Sequence, residues 1–445
     1  MAIWSEVSTN ELFGSFRLDA ECYSPEVVAV YDQLASLETV RLGDHAFITD
    51  GQHGYHKVDP ASPIRHLTAK CIKESFIDDT GAERLSLETH QKNLRSSCAV
   101  GDVLLSTAGT VGNAGIVTAN ILPANMDQDL ARIHLRDDRI DPWYLVAFLN
   151  SRIGRLQSER VSTGQVQKHI ALEKIREFSI PVCLNQKPAA RLVRTAFAER
   201  QLAQRLYNQA ENLLIKQLGL SNLKRTHRND PFYINHLSNA ISANRVDAEY
   251  FQPHFQNVLE TLRTKGRCIA DVANLRRERF RPVAEQPFHY IEIGDVSSDG
   301  TASASQILGF DAPSRAQWIV RRGDVITSLV RPIRRLTALI GQDQDGYVCS
   351  SGFAVLGPYG VSPEVLAVYL RLPIIAELLD LYTTASMYPA ISSDELMRIP
   401  FRIPSERSMA SITHKIAQSR AAHEKSRSLI EEAKALVEVQ VLAKG

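Results

Sequence analysis

The residues of this sequence that could do chemistry are few, and none of them forms a complete catalytic set. Asn229-Asp230-Pro231-Phe232 comes close to the Asn-Pro-Pro-aromatic pattern that holds an exocyclic amine for methylation. Its second position is Asp, however, and no glycine-rich cofactor loop follows a strand upstream, so it reads as a turn. Gly109-Thr110-Val111-Gly112-Asn113-Ala114-Gly115 lacks the Gly-Lys-Ser/Thr ending that a phosphate loop needs. Asp19 and Glu21 could ligate a metal, yet no Lys follows at nuclease spacing, and the pair reads as structural. The 13 histidines show no ligand spacing, and His53 and His56 read as an isolated pair on a loop. Cys22, Cys71, Cys98, Cys183, Cys268 and Cys349 include no Cys-x-x-Cys pair, so free thiols are expected. No catalytic residue, metal or cofactor is expected.

What the sequence does offer is local positive charge. Arg276, Arg277, Arg279 and Arg281 flank Phe280, Arg321-Arg322 precede an apolar run, and Arg331, Arg334 and Arg335 crowd a turn. The first half is leaner, with Lys70, Lys73, Arg84, Lys92, Arg95, Arg160 and Lys168. Arginine forks suit phosphates and the guanine edge, while Gln and Asn suit adenine. The net charge of +1 does not oppose this, because an electrostatic footprint is a patch that the average conceals.

A chain of 445 residues is too long for one core, and two or three domains are expected. Its 44% hydrophobic and 23% charged content are those of a soluble globular protein. The apolar runs are too short and too often interrupted for a membrane span. Met-Ala-Ile-Trp-Ser-Glu is no secretory signal, so the cytoplasm is the expected location.

The elements that position these residues occur twice. Arg17-Leu-Asp-Ala-Glu-Cys-Tyr-Ser-Pro25 returns as Arg245-Val-Asp-Ala-Glu-Tyr-Phe-Gln-Pro253, sharing Arg, Asp, Ala, Glu and Pro. Gly101-Asp102-Val103 returns as Gly323-Asp324-Val325, each followed by a β-rich run ending in Ser106 or Ser328. Pro142 and Pro363 each open a helical stretch, as Pro does well at a first helical position. Thr163-Gly164-Gln165 to Ile180-Pro181 matches Ala385-Ser386-Met387 to Ile403-Pro404. In the constant-spacing alignment the glycines of the first turn meet Arg331, Arg334 and Thr337 in the second half. Ordered matches over the whole chain establish a duplication.

A long helix without internal Pro or Gly closes each copy, about Pro188 to Leu218 and Ser408 to Leu442. A heptad-like seam runs through Leu192, Ala196, Glu199, Ala203, Leu206, Ala210 and Leu213. In the second helix it runs through Ile412, Ile416, Ser419, His423, Ser426, Ile430, Ala433 and Val437. Such a stripe faces a partner helix, and chain order favours the two packing on each other. The expected fold is α+β: two tandem similar α/β domains with two long antiparallel helices between them. About thirty residues of helix span roughly 45 Å, somewhat more than one DNA turn.

Taken in order, these motifs resemble the specificity subunit of type I restriction–modification systems over essentially the full chain. The carriers are Gly101 to Thr107 with Gly109 to Gly112, Asn125 to Leu130, and Thr163-Gly164-Gln165 with Ile180-Pro181. In the second half they are Gly323 to Ser328, Val330-Arg331-Pro332 and Ser350 to Val355. The resemblance implies target-recognition domains at 1–184 and 221–404, with spacer helices at 185–220 and 405–445. It implies a bipartite double-stranded DNA target, docking of methyltransferase subunits (two of them) on the helices, and a motor-nuclease subunit in the larger complex. Catalysis and S-adenosylmethionine would belong to those partners.

Expected near DNA are Thr163, Gly164, Gln165, Lys168 and His169 with Arg331, Arg334, Arg335, Ser386 and Tyr388, from the equivalent loops of the two halves. Expected at partner-binding helices are Leu192, Ala196, Leu206, Leu213, Ile412, Ile416, Ile430 and Val437. The rival readings are the recognition subunit of a related two-subunit restriction system and, in another class, a protein-interaction adaptor that never meets DNA.

Overall fold

The computed structural model describes residues 20–54, 56–73, 75–164, 168–182, 185–221, 234–243, 245–264, 267–297, 299–384 and 387–443. These fold as two compact units. One runs to Gln201 and takes in the C-terminal stretch from Ala422, and the other is Leu202–Ala421. Each unit therefore owns part of both long helices.

The duplication reappears in the sheets. In the first unit an antiparallel sheet has the order Ala46–Asp50, Leu130–Leu135, Val103–Ser106, Ala114–Ile116. In the second the order is Ala273–Leu275, Phe353–Pro358, Val325–Ser328, Thr337–Leu339. A second sheet lies beside each. In the first unit it is Arg84–Leu85, Ile64–Leu67 and Ala124–Met126; in the second it is Ser305–Leu308, Pro287–Ile291, Val348–Ser350 and Ala316–Ile319. Both contain one parallel pair, Ile64–Leu67 with Ala124–Met126 and Pro287–Ile291 with Val348–Ser350. The fold is α+β, two similar domains with a pair of long helices.

The central strands Val103–Ser106 and Val325–Ser328 are buried throughout, which explains why their sequences are continuous rather than alternating. Val103 and Leu105 pack among helical residues such as Tyr144 and Phe148, whereas Leu104 packs with Leu67 and Met126 of the second sheet. Val325 and Ile326 divide the same way, toward Tyr369 and toward Ile291. Three layers result in each unit.

The Gly-Asp-Val motif acts as a strand-entry turn. Gly101 and Gly323 have φ of +91° and +83°, a region that only glycine enters without strain. Asp102 and Asp324 each accept a hydrogen bond from the amide three residues earlier, Ala99 N and Arg321 N, both at 2.8 Å. Helices Pro142–Asn150 and Pro363–Arg371 follow, capped by Asp141 and Ser362 with Pro at the first position. Tyr144 and Tyr369 then donate to the carbonyls of Pro181 and Pro400, tying each helix to the segment that leads into a long helix.

The long helices are Gln186–Leu218 and Glu406–Leu442, each starting two residues earlier than the sequence reading. They run antiparallel within each unit. In the second unit Ser419 donates to Ala203 O at 2.8 Å, and in the first Ser426 donates to Ala196 O at 2.7 Å. The serines of the seam are thereby explained: small residues let the backbones approach, and each serine hydroxyl finds the opposite helix's carbonyl. No helix of the described residues is long and apolar enough to cross a membrane.

The structure corrects the alignment of the two turns by one residue. Strand register pairs Leu105 with Ala114 and Thr327 with Thr337, so Gly115 corresponds to Ala338 and Gly112 to Arg335. The second turn has one extra residue, three between Arg331 and Arg335 against two between Gly109 and Gly112, and Thr337 does not stand for a glycine. The later loop shifts by one residue in the opposite sense, since Thr163 pairs with His169 and Thr384 pairs with Ala390, so that Thr163 corresponds to Thr384 rather than Ala385.

Candidate nucleic-acid interface

Two loops meet at the same corner of each unit. In the first, Thr163 and His169 exchange backbone hydrogen bonds of 2.9 and 2.8 Å, and His169 also bridges to Ala108, beside the turn of Gly109 and Gly112. Thr163, Gly164, Lys168 and His169 are exposed there, while Gln165 lies outside the described residues. In the second, Thr384 and Ala390 exchange bonds of 2.9 and 3.2 Å, and Ala390 bridges to Val330, beside Arg331. Ser386 lies outside the described residues.

The arginine turn is built at a conformational cost. Arg331 and Arg335 have φ of +50° and +57°, where the first-unit turn has glycines at +71° and +86°. A side chain in that region costs roughly 1–2 kcal/mol. The second turn therefore keeps a left-handed residue at each end, with one residue more between them, and takes on two bulky cations. Arg331 is exposed, its guanidinium 5.4 Å from the Tyr388 ring centre and 3.3 Å from Met387 O. Arg334 is exposed beside it, on the short helical turn Pro332–Arg334. Arg335 points the other way and is half-buried toward the long helix, where its charge acts on Glu211 and Tyr207. Burial raises the Glu211 carboxyl above the usual range, and Arg335 and Arg371 act against that rise.

Of the other cations, several are committed internally. Arg160 is buried with its guanidinium 3.9 Å from the Tyr31 ring centre, so the expectation that it adds to the basic surface is corrected. Arg276 donates to Asp324 at 2.7 Å, Arg321 pairs with Glu278, and Arg95 pairs with Asp50 at 2.7 Å. Burial holds the Asp324 carboxyl above its ordinary value against the pull of Arg276.

Each unit also has a polar cleft. In the second, a cleft of about 240 Å³ is lined by Arg276, Arg277, Arg279, Gln317 and Trp318, with Arg279 over the indole at 6.0 Å. A planar cation, an amide and an aromatic face together suit stacking and edge recognition of bases. Sequence reasoning named the arginines but missed Trp318 and Gln317, because strand Ala316–Ile319 meets Arg279 only through the fold. In the first, a cleft of about 680 Å³ is lined by Gln52, Thr68, Lys70, Lys73, Asp127 and Gln128, both lysines exposed. Burial pushes the Asp127 carboxyl up to about 7, with Asp129 adding to the rise. Asn125, from the same motif, is held inward by donating to Asn93 O and Ser96 Oγ at 2.9 and 2.8 Å. His56 is not part of an isolated pair: His53 turns to Asp50, while His56 meets His66 and Glu83.

The helix residues expected to meet partners lie mainly inside. Ala196, Ile412, Ile416, Ile430 and Val437 are buried, and Leu192, Leu206 and Leu213 are half-buried. Cys22, Cys71, Cys98, Cys268 and Cys349 are free thiols, and Cys183 lies outside the described residues.

No protein-family model matches the chain, and no curated protein does. Among solved structures it is similar to the type I restriction-modification S subunit from M. genitalium, at 12% identity over 91% of this chain and 95% of that one, with a TM-score of 0.37. It is similar to the HsdS subunit from Thermoanaerobacter tengcongensis at 16% identity, over 91% and 96% of the two chains, with a TM-score of 0.29. A chain from a structural study of complex assembly and conformational transition of the type I R-M system matches at 16% identity, over 91% and 97%, with a TM-score of 0.28. Superpositions this loose carry no residue role from one chain to another.

Proposed function

We propose that this chain is the non-catalytic specificity subunit of a type I restriction–modification complex, each half reading one part of a split DNA site. In this reading 1–184 and 221–404 are the recognition domains and 185–220 and 405–445 the spacer helices. The single observation that supports it best is the pair of equivalent corners. The loop beside the turn is closed by equivalent backbone pairs, Thr163–His169 and Thr384–Ala390, yet the turn that it meets is one residue longer in the second unit and carries Arg331 and Arg334 beside Tyr388. One scaffold with different residues at the same exposed place is what reading two unlike half-sites requires.

Thr163, Gly164, Gln165, Lys168 and His169 would face one half-site. Arg331, Arg334, Ser386 and Tyr388 would face the other, with Arg335 steadying the turn from behind. Methyltransferase subunits would dock on the outward faces of the helices, since the seam is occupied by helix–helix packing. Methylation and cleavage would come from those subunits and from a motor-nuclease, so the chain itself needs no cofactor, and the complex would work in the cytoplasm.

The test is methylation sequencing of a host that expresses this chain with methyltransferase subunits from the same genome. The expected result is a motif of two short parts separated by several unread base pairs. A single contiguous motif, or none, would overturn the reading. The purified chain alone is expected neither to methylate nor to cut DNA, and to bind it with a steep loss of affinity as salt rises.

A further inference from the structure

The cleft of the first unit holds a cluster that DNA reading does not use. His66, on strand Ile64–Leu67, is 4% exposed, and neither of its ring nitrogens has a hydrogen-bond partner. The His56 ring lies 4.1 Å away, centre to centre, tilted by 57°. His56 Nε2 is 2.9 Å from Glu83 Oε2, and His66 Nδ1 is 3.9 Å from the same oxygen. One ligand atom from each of the three lies within 4.8 Å of the others.

A buried imidazole with both nitrogens unsatisfied is unfavourable, by roughly 1–3 kcal/mol for each orphaned group. The tilted imidazole of His56 beside it does not remedy that, and the nearby Glu83 oxygen is too far to accept a hydrogen bond from it. A cation at the centre of the three groups would remedy it. We propose that His56, His66 and Glu83 bind a divalent transition metal, Zn2+ by preference, with the fourth position open to the cleft. Two imidazoles and one carboxylate are a donor set that zinc takes with an open position. Bonds of ~2.0–2.2 Å place tetrahedral ligand atoms ~3.4 Å apart, so the observed separations need only small side-chain movements.

Burial also pushes His66 down to about 4, which keeps it in the neutral form that ligates. The three ligands come from separate places: the segment before strand Ile64–Leu67, that strand itself, and the residue just before strand Arg84–Leu85. A bound ion would therefore pin the wall of the cleft that faces Lys70 and Lys73. Sequence spacing could not reveal this site, because its ligands are 10 and 17 residues apart and carry no motif. The site does not depend on whether this half reads DNA.

The full-length chain is dialysed against Zn2+ and its metal content measured, with folding checked by circular dichroism. One zinc per chain is expected. Glu83 is exposed, so Glu83→Gln removes a ligand without disturbing the core; it and His66→Ala should weaken binding by at least the roughly 10–100-fold that loss of an outer-shell partner costs. Cys71→Ser, which alters the thiol lining the same cleft, should bind as the parent does. Absence of stoichiometric zinc overturns the proposal, as does parent-like affinity in folded Glu83→Gln or loss of binding in folded Cys71→Ser. Because the readout is metal content, failure here leaves the methylation test untouched.

Discussion

The first unit leaves its third strand through Gly109 and Gly112, and the second leaves the same strand through Arg331 and Arg335. Both turns have a left-handed residue at each end, close on equivalent loops and rejoin the sheet in equivalent register, the second with one residue more. In one case the left-handed conformation is relaxed, and in the other it is strained. If stability alone governed these positions, glycine would be the better choice in both. The difference separates two roles that a folded loop usually mixes, the shape of the turn and what the turn presents. The left-handed ends of the turn are common to the halves, and presentation is particular to each.

The largest effect is expected where the first turn leaves no room. A Cβ on Gly112 would stand 2.9 Å from the Ser158 Cβ, at φ of +86°. Gly112→Ala should destabilise the first unit by about 2–4 kcal/mol, combining left-handed strain with overpacking. Denaturant unfolding measures this, and a loss no greater than that of Gly109→Ala would break the comparison.

Next comes presentation. Arg331→Gly should weaken DNA binding by about 1–3 kcal/mol if the guanidinium reads a base. Thermal stability should hold or rise, because relief of ~1–2 kcal/mol of strain offsets an exposed cation–π contact of ~0.5–1 kcal/mol. Binding and stability falling together would mean that Arg331 is structural.

The reverse exchange is milder. Nothing lies within 4 Å of a Cβ built on Gly109, so Gly109→Arg should cost only the strain, about 1–2 kcal/mol by unfolding. It should also change the first half-site while leaving the second as it was. An altered second half-site, seen by methylation sequencing, would deny that the halves are independent.

The smallest effect concerns Glu211, which burial holds above its ordinary pKa behind the second turn. A carboxyl raised on folding penalises the folded state when it ionises. The penalty is absent below the unfolded value near 4.5, grows as pH rises through that value, and is complete above the folded one. Glu211→Gln should therefore raise the melting temperature at pH ~8 and change it little at pH ~4. A lower melting temperature at pH ~8 would show instead that ionised Glu211 anchors Arg335.

Much of this architecture was legible in the sequence because its signals are local and repeated. Gly-Asp-Val marks a turn whose φ only glycine accepts, Pro starts each helix, and the seam repeats along helices without breakers. The seam's serines were legible as polar interruptions, but not as donors to Ala196 and Ala203, since that depends on how closely the backbones approach. The turn alignment failed by one residue because the second turn carries an insertion between Arg331 and Arg335 that constant spacing cannot see. Trp318 beside Arg279, and His56 beside His66 and Glu83, were illegible for a plainer reason. Their members sit on different strands or loops, and only the folded sheets bring them together.

The composition of the first unit has a consequence for how the protein is made. Its core includes Ala189, Val193 and Ala196 from the first long helix, covered by Ile430, Ala433, Val437 and Val441 from the end of the chain. When ribosomal synthesis passes Gln201, roughly 220 residues remain before Ala422 emerges, about 10–45 s at ~5–20 residues per second. Throughout that interval an apolar strip on the nascent first unit has no cover, and synthesis must pass Val441 before the first unit is whole. A ribosome stalled anywhere in the second half would thus display an incomplete first unit with a sticky edge, a natural mark for chaperones and proteases.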